Sequence, residues 1–292
     1  MRVVVGVATT GRREQIKLTL DQFAKQSTPP SRLLICPGGP GDFDETYQVR
    51  GGPPVELVSG KKGSCTQRNA IIDAAHDADI LIFFDDDFYP ATDYVARVVQ
   101  LFTTHAHVVL ATHWPILDGA QGPGISHEEA VRALQHDAPI AGASTPAPTY
   151  GGYGCNMSIR MAALREHRVR FDENLPLYGW LEDIELSRRL ASYGDIVSDP
   201  SLRGVHLGTK NGRPSGVRLG YSQIANPIYM IRKGSVSPRY ALRHAAKNFA
   251  ANVARSAAPE HWIDRRGRLK GNLLALKDLI TGELHPERVL RF

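Results

Sequence analysis

Ile80-Leu81-Ile82-Phe83-Phe84-Asp85-Asp86-Asp87 carries an apolar run straight into three carboxylates. A short apolar run bounded by polar residues reads as a buried strand. Alternate side chains of a strand share a face, so Asp85 and Asp87 converge while Asp86 points the other way. Phe88 excludes the complementary pairing of positions 86 and 88. Open α/β sheets place ligands at the carboxyl ends of their strands. Two carboxylates meeting there stay ionised if they share a divalent cation, and oxygen donors suit Mg2+ or Mn2+, which keep sites open for a diphosphate. A solvated acidic turn is the alternative.

Outward from this stretch, strand-like runs alternate with helical patterns through residues 1–200, the order of an α/β sheet with helices on its faces. Val3 to Thr9 reads as a first strand. Ile16, Leu20 and Phe23 follow at helical spacing, and Leu33 to Cys36 closes a β-α-β unit after Ser27-Thr28-Pro29-Pro30. Val55 to Val58, Ile80 to Phe84 and Val108 to Thr112 supply further strands, with helices expected at Gln67 to Ala75 and Tyr94 to Phe102. Residues 115–154 turn rich in Gly, Pro, Ser and Thr, with one short helix opened by a Ser126/Glu129 capping box. Long excursions of this kind cover binding sites. A helix from Leu181 to Ser192, stopped near Gly194, then precedes Tyr221 to Arg232 and a basic, Ala-rich helical tail.

With 292 residues and 42% apolar content the chain can bury a core, and 22% charged residues with 27 Gly and 19 Pro exclude disorder, coiled coils and collagen-like repeats. Cys36, Cys65 and Cys155 are too few and too scattered for a disulfide framework or a structural zinc site, so a reducing compartment is expected. The opening Val3-Val4-Val5 is too short for a signal-peptide core, and Ile80 to Phe84 falls far below the roughly 18 residues of a membrane span. A cytoplasmic protein is expected, one that can sit peripherally at the inner face of the cell membrane. The net charge of +5 is unevenly spread: residues 201–292 hold 17 Lys and Arg against 5 Asp and Glu, a balance of +12, which leaves −7 for residues 1–200. A basic tail suits an anionic surface; a solvated helical face is the plainer account.

No dinucleotide or P-loop fingerprint follows the first strand, where Ala8-Thr9-Thr10-Gly11-Arg12 stands. Gly60-Lys61-Lys62-Gly63-Ser64 presents two cations and backbone amides before the helix bearing Arg68 and Asn69, an arrangement able to hold an anion or to form a basic turn. Gly179-Trp180-Leu181-Glu182-Asp183 opens an amphipathic helix. Its acids are explained by the helix dipole alone, or serve in catalysis, with the Trp as a sugar platform or a core residue. His206, between Gly204 and Gly208, is a core histidine or completes a metal shell begun by the aspartates.

Taken in order, four blocks resemble a family-2 glycosyltransferase of the GT-A fold, of the bacterial kind that builds surface polysaccharides. They are Thr9-Thr10-Gly11-Arg12 with Gln26; Gly63 through Arg68-Asn69; Ile80 to Asp87 with Pro90; and Gly154-Cys155-Asn156-Met157-Ser158-Ile159-Arg160 leading through Phe171-Asp172-Glu173 to Gly179 through Leu186 and Arg189. The resemblance spans roughly residues 1–235, taken as a catalytic domain, with residues 236–292 as a basic helical extension. It implies a Rossmann-like mixed sheet flanked by helices, and transfer of a sugar from a nucleotide diphosphate to a hydroxyl with inversion. By that resemblance Asp87 binds Mn2+ or Mg2+ on the diphosphate, with His206 a further ligand. Asp85, Asp86, Arg68, Gly63 and the Thr9-Thr10-Gly11-Arg12 turn lie against the donor. Asp183 is the base, and Glu182, Trp180 and Asn156 face a glycan or lipid-linked acceptor.

The second strand ends in Cys36-Pro37-Gly38-Gly39 where the family has acidic residues near the nucleobase, and Asp42 is the nearest acid. UDP is the default donor nucleotide, with GDP and dTDP open. The basic tail, including Arg239, Arg243, Lys247, Arg255, Arg265, Arg266, Arg268 and Lys270, is expected to hold the enzyme at an anionic inner leaflet. The rivals are a nucleotidyltransferase using the Asp cluster, disfavoured by the missing Gly-rich signature, an inactive member of the same fold, and a non-catalytic basic surface-binding protein. Nucleic acid is not expected as a partner, because the body that would hold it is acidic.

Overall fold

The computed structural model describes residues 1–138, 142, 144–212 and 215–292. Its sheet is organised around β1 (Val3–Thr9), whose valines are buried on both faces, as in a central strand covered by helices on either side. In chain order the other strands of this sheet are β2 (Arg32–Pro37), β3 (Val55–Leu57), β4 (Ile80–Asp85), β6 (Val108–Thr112), β8 (Ala147–Pro148), β9 (Asn156–Arg160) and β10 (Asp195–Ser198). They form an eight-stranded mixed sheet in the order β3-β2-β1-β4-β9-β6-β10-β8. β1 is parallel to both β2 and β4, whereas β9 runs antiparallel between β4 and β6. The chain therefore moves outward from β1 in one direction through β2 and β3, and in the other through β4. The crevice opens at such a switch point, beyond the carboxyl ends of β1 and β4.

Alternation along β4 explains the layers. Leu81 and Phe83 join one apolar cluster with Ile71 and Ile72 of α2 (Ser64–Ala74). Ile80, Ile82 and Phe84 join the other, with Ile16 and Leu20 of α1 (Arg13–Leu20) and Tyr94 and Val98 of α3 (Tyr94–Thr104). The same alternation sends Asp85 to the α2 side and Asp86 to the α1 side. A second, three-stranded sheet is built from β5 (Phe88–Pro90), β7 (Leu117–Asp118) and β11 (Gly204–His206), with β11 in the middle.

The excursion at 115–154 contains the expected capping box: Ser126 and Glu129 cap α4 (His127–His136) reciprocally. Residues 139–141 and 143 of that excursion lie outside the described residues. After α5 (Met161–Glu166) comes α6 (Glu182–Leu190), which ends before the expected stop. Gly194 is needed for a different reason, since a Cβ there would lie 2.5 Å from the His107 carbonyl as the chain enters β10. α2 starts earlier than expected because its first turn is polar and leaves no apolar period to read.

The remaining helices are α7 (Gly216–Lys233), α8 (Pro238–Arg255) and α9 (Arg265–Ile280). α7 and α9 cross closely: a Cβ on Gly220 would meet the Arg268 backbone at 2.0 Å, and one on Gly271 the Val217 carbonyl at 2.1 Å. Tyr221, Ile224 and Ala225 share an apolar cluster with Ala245, Ala275, Leu284 and Val289, so this cluster runs across residue 235. Among the described residues, no helix is long and apolar enough to cross a membrane.

Candidate active site

Asp85, Asp87 and His206 meet where the two sheets join. β4 ends at Asp85, the chain turns through Asp86 and Asp87, and β5 pairs antiparallel with β11, which sets His206 across from Phe88. Donor atoms of Asp85, Asp87 and His206 lie within 4.8 Å of one another. His206 Nε2 is 3.4 Å from Asp87 Oδ1 and 3.9 Å from Asp85 Oδ2. Its Nδ1 is 2.9 Å from Asp118 Oδ1, on the residue that the β11–β7 register places beside it. That partner fixes the ring and leaves Nε2 to the cluster. Asp87 Oδ2 accepts the Thr209 N–H at 2.7 Å, but Oδ1 is buried without a hydrogen-bond partner among the described residues. An orphaned buried oxygen beside a second carboxylate and an imidazole nitrogen fits a divalent cation.

The charges are balanced locally. Burial works against a charged His206, yet Asp118, Asp87 and Asp85 outweigh it and push the imidazole up to about 10. Burial alone would raise Asp87, but His206, Arg12 and the Thr209 N–H hold it well below the usual carboxylate range.

Asp86 points away, as alternation requires. It accepts from Thr9 Oγ1 at 2.6 Å and from Arg12 Nη1 at 2.7 Å, while burial, only partly offset by Arg12, pushes it up to about 6. Arg12 also donates to the carbonyls of Asn211 and Thr209, at 2.7 and 2.9 Å, tying the turn after β1 to the segment after β11. Thr10 packs against Gly38, where a Cβ would lie 2.1 Å from its Oγ1, and the Gly11 N–H reaches Asp42 at 2.9 Å. Asp42 thus returns to the mouth of the crevice although it lies beyond the end of β2.

Arg68, on the buried face of α2, joins the two acidic motifs. Nη1 donates to Glu182 at 2.7 Å; Nη2 donates to Asp85 and to the Gly154 carbonyl, both at 3.0 Å. Its guanidinium lies 5.4 Å from the Phe171 ring centre and 5.9 Å from that of Phe83. Arg68 is therefore turned inward onto Asp85 and Glu182, where the sequence expectation set it against the donor. Glu182 is likewise spent on Arg68 and on Ser64 Oγ at 3.2 Å. Burial pushes Glu182 up to about 7 against the pull of Arg68, and raises Asp183 above the ordinary carboxylate range. Half-buried Asp183 accepts the N–H of Gly154 at 2.9 Å on Oδ2 and that of Ile184 at 2.8 Å on Oδ1.

The turn that delivers Asp183 is left-handed at Leu177, Gly179, Trp180 and Leu181, with φ of 59°, 84°, 34° and 69°. Asn226 of α7 holds it by donating to the carbonyls of Gly179 at 2.6 Å and Trp180 at 3.1 Å. Trp180 is half-buried, its ring 6.4 Å from that of Tyr178 and its Nε1 without a partner among the described residues.

Two further expected site residues are engaged within the fold. Asn156 is fully buried within the sheet, accepting from Thr112 Oγ1 at 2.6 Å and donating to the His113 carbonyl at 2.8 Å. The amides at the entry to α2 are engaged, Gly63 N–H with Gln67 Oε1 at 3.2 Å and Ser64 N–H with the Leu177 carbonyl at 2.7 Å. Gly63 supplies a backbone φ of 141°, not a free donor. Sequence reading missed Asp118, Tyr153 and Gln67. Asp118 sits in the irregular excursion with no motif around it, and Tyr153 falls just before the Gly154 block. Gln67, whose Nε2 joins the Thr9 and Cys36 carbonyls at 3.1 and 2.6 Å, lay at the polar start of a helix.

No protein-family model matches the sequence, nor does any curated protein. Solved structures do. S. aureus TarS in complex with UDP-GlcNAc superimposes with a TM-score of 0.58 at 15% identity, over 99% of this chain and 83% of that one. Mannosyltransferase PcManGT from Pyrobaculum calidifontis, in complex with GDP-Man and Mn2+, gives 0.55 at 18% identity, over 99% and 85%. Glucosyl-3-phosphoglycerate synthase from Mycobacterium tuberculosis, with Mn2+, UDP and phosphoglyceric acid, gives 0.51 at 16%, over 80% and 79%. The chain has the GT-A glycosyltransferase fold. In this GT-A chain the Asp-Asp-His cluster sits at the carboxyl end of β4, next to the central strand.

Proposed function

We propose that this protein is an inverting, divalent-metal-dependent glycosyltransferase of the family-2 kind. It moves a sugar from a nucleotide diphosphate, UDP-sugar in the first instance, to the hydroxyl of a glycan or lipid-linked acceptor in surface polysaccharide synthesis. The observation that carries this reading is the grouping of Asp85, Asp87 and His206, with Asp183 tied to the same frame through Arg68 and Gly154. The structural neighbours include complexes with UDP-GlcNAc, and with GDP-Man and Mn2+.

Asp85, Asp87 and His206 would hold the cation. When bound, it supplies charge neutralisation to the departing diphosphate. The rest falls to the chain's own groups. Asp183 takes the proton of the acceptor hydroxyl as the new bond forms, and two N–H groups fix its plane. Glu182, neutralised by Arg68, keeps a second charge from competing. One base and one displacement give inversion.

A thermal-shift panel of UDP-, GDP- and dTDP-sugars with and without Mn2+, followed by detection of the released nucleotide and the product anomer, tests this. Metal-dependent stabilisation, nucleoside diphosphate release and an inverted anomer are expected. Pyrophosphate release from NTP and sugar phosphate would support the nucleotidyltransferase instead.

The outer faces of α8 and α9 support a peripheral membrane location. α8 contains Arg239, Arg243, Lys247 and Arg255 and no acid, and α9 exposes Arg266, Lys270 and Lys277 around an exposed Leu273. Because these helices share an apolar cluster with α7, reversing Arg243, Lys247, Lys270 and Lys277 to Glu is a cleaner test than deletion. Loss of co-sedimentation with anionic liposomes is expected; unchanged binding removes the idea.

A further inference from the structure

Trp114 is the most exposed tryptophan of the chain, at 66%, and it stands beside the cation cluster. Its ring centre is 4.8 Å from that of Tyr153, and Tyr153 lies edge-on to His206 at 6.1 Å. The Tyr153 hydroxyl donates to Asp118 Oδ2 at 2.7 Å, and the next residue, Gly154, donates to Asp183. Tyr153 and Gly154 thus connect Trp114 to both halves of the site.

Its backbone is also held in place. Thr112 Oγ1 bonds Asn156 and accepts the Tyr153 N–H at 3.1 Å, Asn156 Nδ2 holds the His113 carbonyl, and His113 Nδ1 meets Ser198 Oγ at 2.9 Å. An exposed indole costs hydrophobic free energy in water, yet here a buried amide and two hydroxyls fix the segment that carries it. Fixing it in advance removes the ordering cost of binding.

On the reading proposed above, we infer that Trp114, backed by Tyr153, is the platform on which a pyranose ring of the saccharide acceptor stacks. A flat, electron-rich face takes up the C–H face of a sugar, while the polar groups around it face the hydroxyl edge. This gives the acceptor a carbohydrate ring at the contact point, and it assigns to Trp114 the role that sequence reading gave to the less exposed Trp180.

The test is tryptophan fluorescence and saturation-transfer NMR of the whole protein with methyl α-mannopyranoside, methyl β-glucopyranoside, N-acetylglucosamine and cellobiose, in the presence of Mn2+ and UDP. At least one saccharide should perturb the indole signal. Trp114→Ala should weaken its binding at least about tenfold, with Trp114→Phe in between, the grading expected of a stacking contact. Three results would overturn the inference: no saccharide binds, Trp180→Phe abolishes the response while Trp114→Phe keeps it, or an octyl chain alone perturbs the indole through the part-exposed Ile116 and Leu117. Calorimetry of Mn2+-UDP and Mn2+-GDP with the wild-type protein addresses the underlying reading separately.

Discussion

Asp183 and Glu182 are adjacent in sequence and differently employed. Glu182 is neutralised by Arg68, whereas Asp183 accepts only two backbone N–H groups and has lone pairs left for a proton. Asp183→Asn is expected to lower kcat by about 100- to 10,000-fold, the range for a lost general base, while donor affinity persists. A base acts when unprotonated, and burial raises Asp183 with Glu182 near 7 beside it. The rate should therefore fall with decreasing pH from above the ordinary carboxylate range, and a pH profile of kcat checks it. Asp118→Asn leaves all three cluster residues in place but loosens the His206 ring. Mn2+ affinity by calorimetry should drop by about 10- to 100-fold, the usual effect of removing such an orienting carboxylate.

Among the elements, the turn before α6 holds three consecutive residues at positive φ. Consecutive left-handed residues at Gly179, Trp180 and Leu181 are costly for the two with side chains, and Asn226 of α7 holds the carbonyls of Gly179 and Trp180. Asn226→Ala should lower stability by about 1 to 3 kcal/mol, measured by urea unfolding, because it orphans two buried carbonyls. It should also lower kcat more than it raises the donor KM, since the turn aims Asp183. β1, β2, β3, β4 and β6 were readable from apolar runs and breakers, whereas the antiparallel β9 and the three-stranded sheet were not. This turn was not, since the stabilising contact comes from a helix some fifty residues away and leaves no local pattern.

At the scale of the whole molecule, Lys233 at the end of α7 joins the C-terminal helices to α6 and the loop before it. It reaches Asp172 at 2.6 Å and fully buried Glu185 at 2.7 Å. Lys233→Met should cost about 2 to 4 kcal/mol, somewhat below a fully buried pair because the lysine is part-exposed, with Tm as the readout. The linkage has a definite sign. The Asp172 pKa is lowered, since Lys233 and Tyr229 outweigh the effect of burial, so its contribution is present above the unfolded carboxylate pKa of about 4 and lost as pH falls through the folded value. The Lys233 pKa is raised by the same carboxylates against burial, so its share is lost only as pH rises through a folded value above about 10. Wild-type Tm should be less pH-sensitive between those limits than outside them, and the variant should lose that contrast.

The sequence by itself determined the α/β layering, the strand that surfaces as Asp85-Asp86-Asp87, the opposite facing of Asp86, and the acidic body with its basic tail. These follow from periodicity, chain order and composition, which are local or additive properties. Only the tertiary structure decided that Arg68 faces inward, that Asn156 supports the sheet, that Asp118 orients His206 and that Trp114 stands open beside the cluster. Each depends on which of several polar side chains wins a given partner once the sheets close. That competition is settled by packing and desolvation between segments distant in the chain.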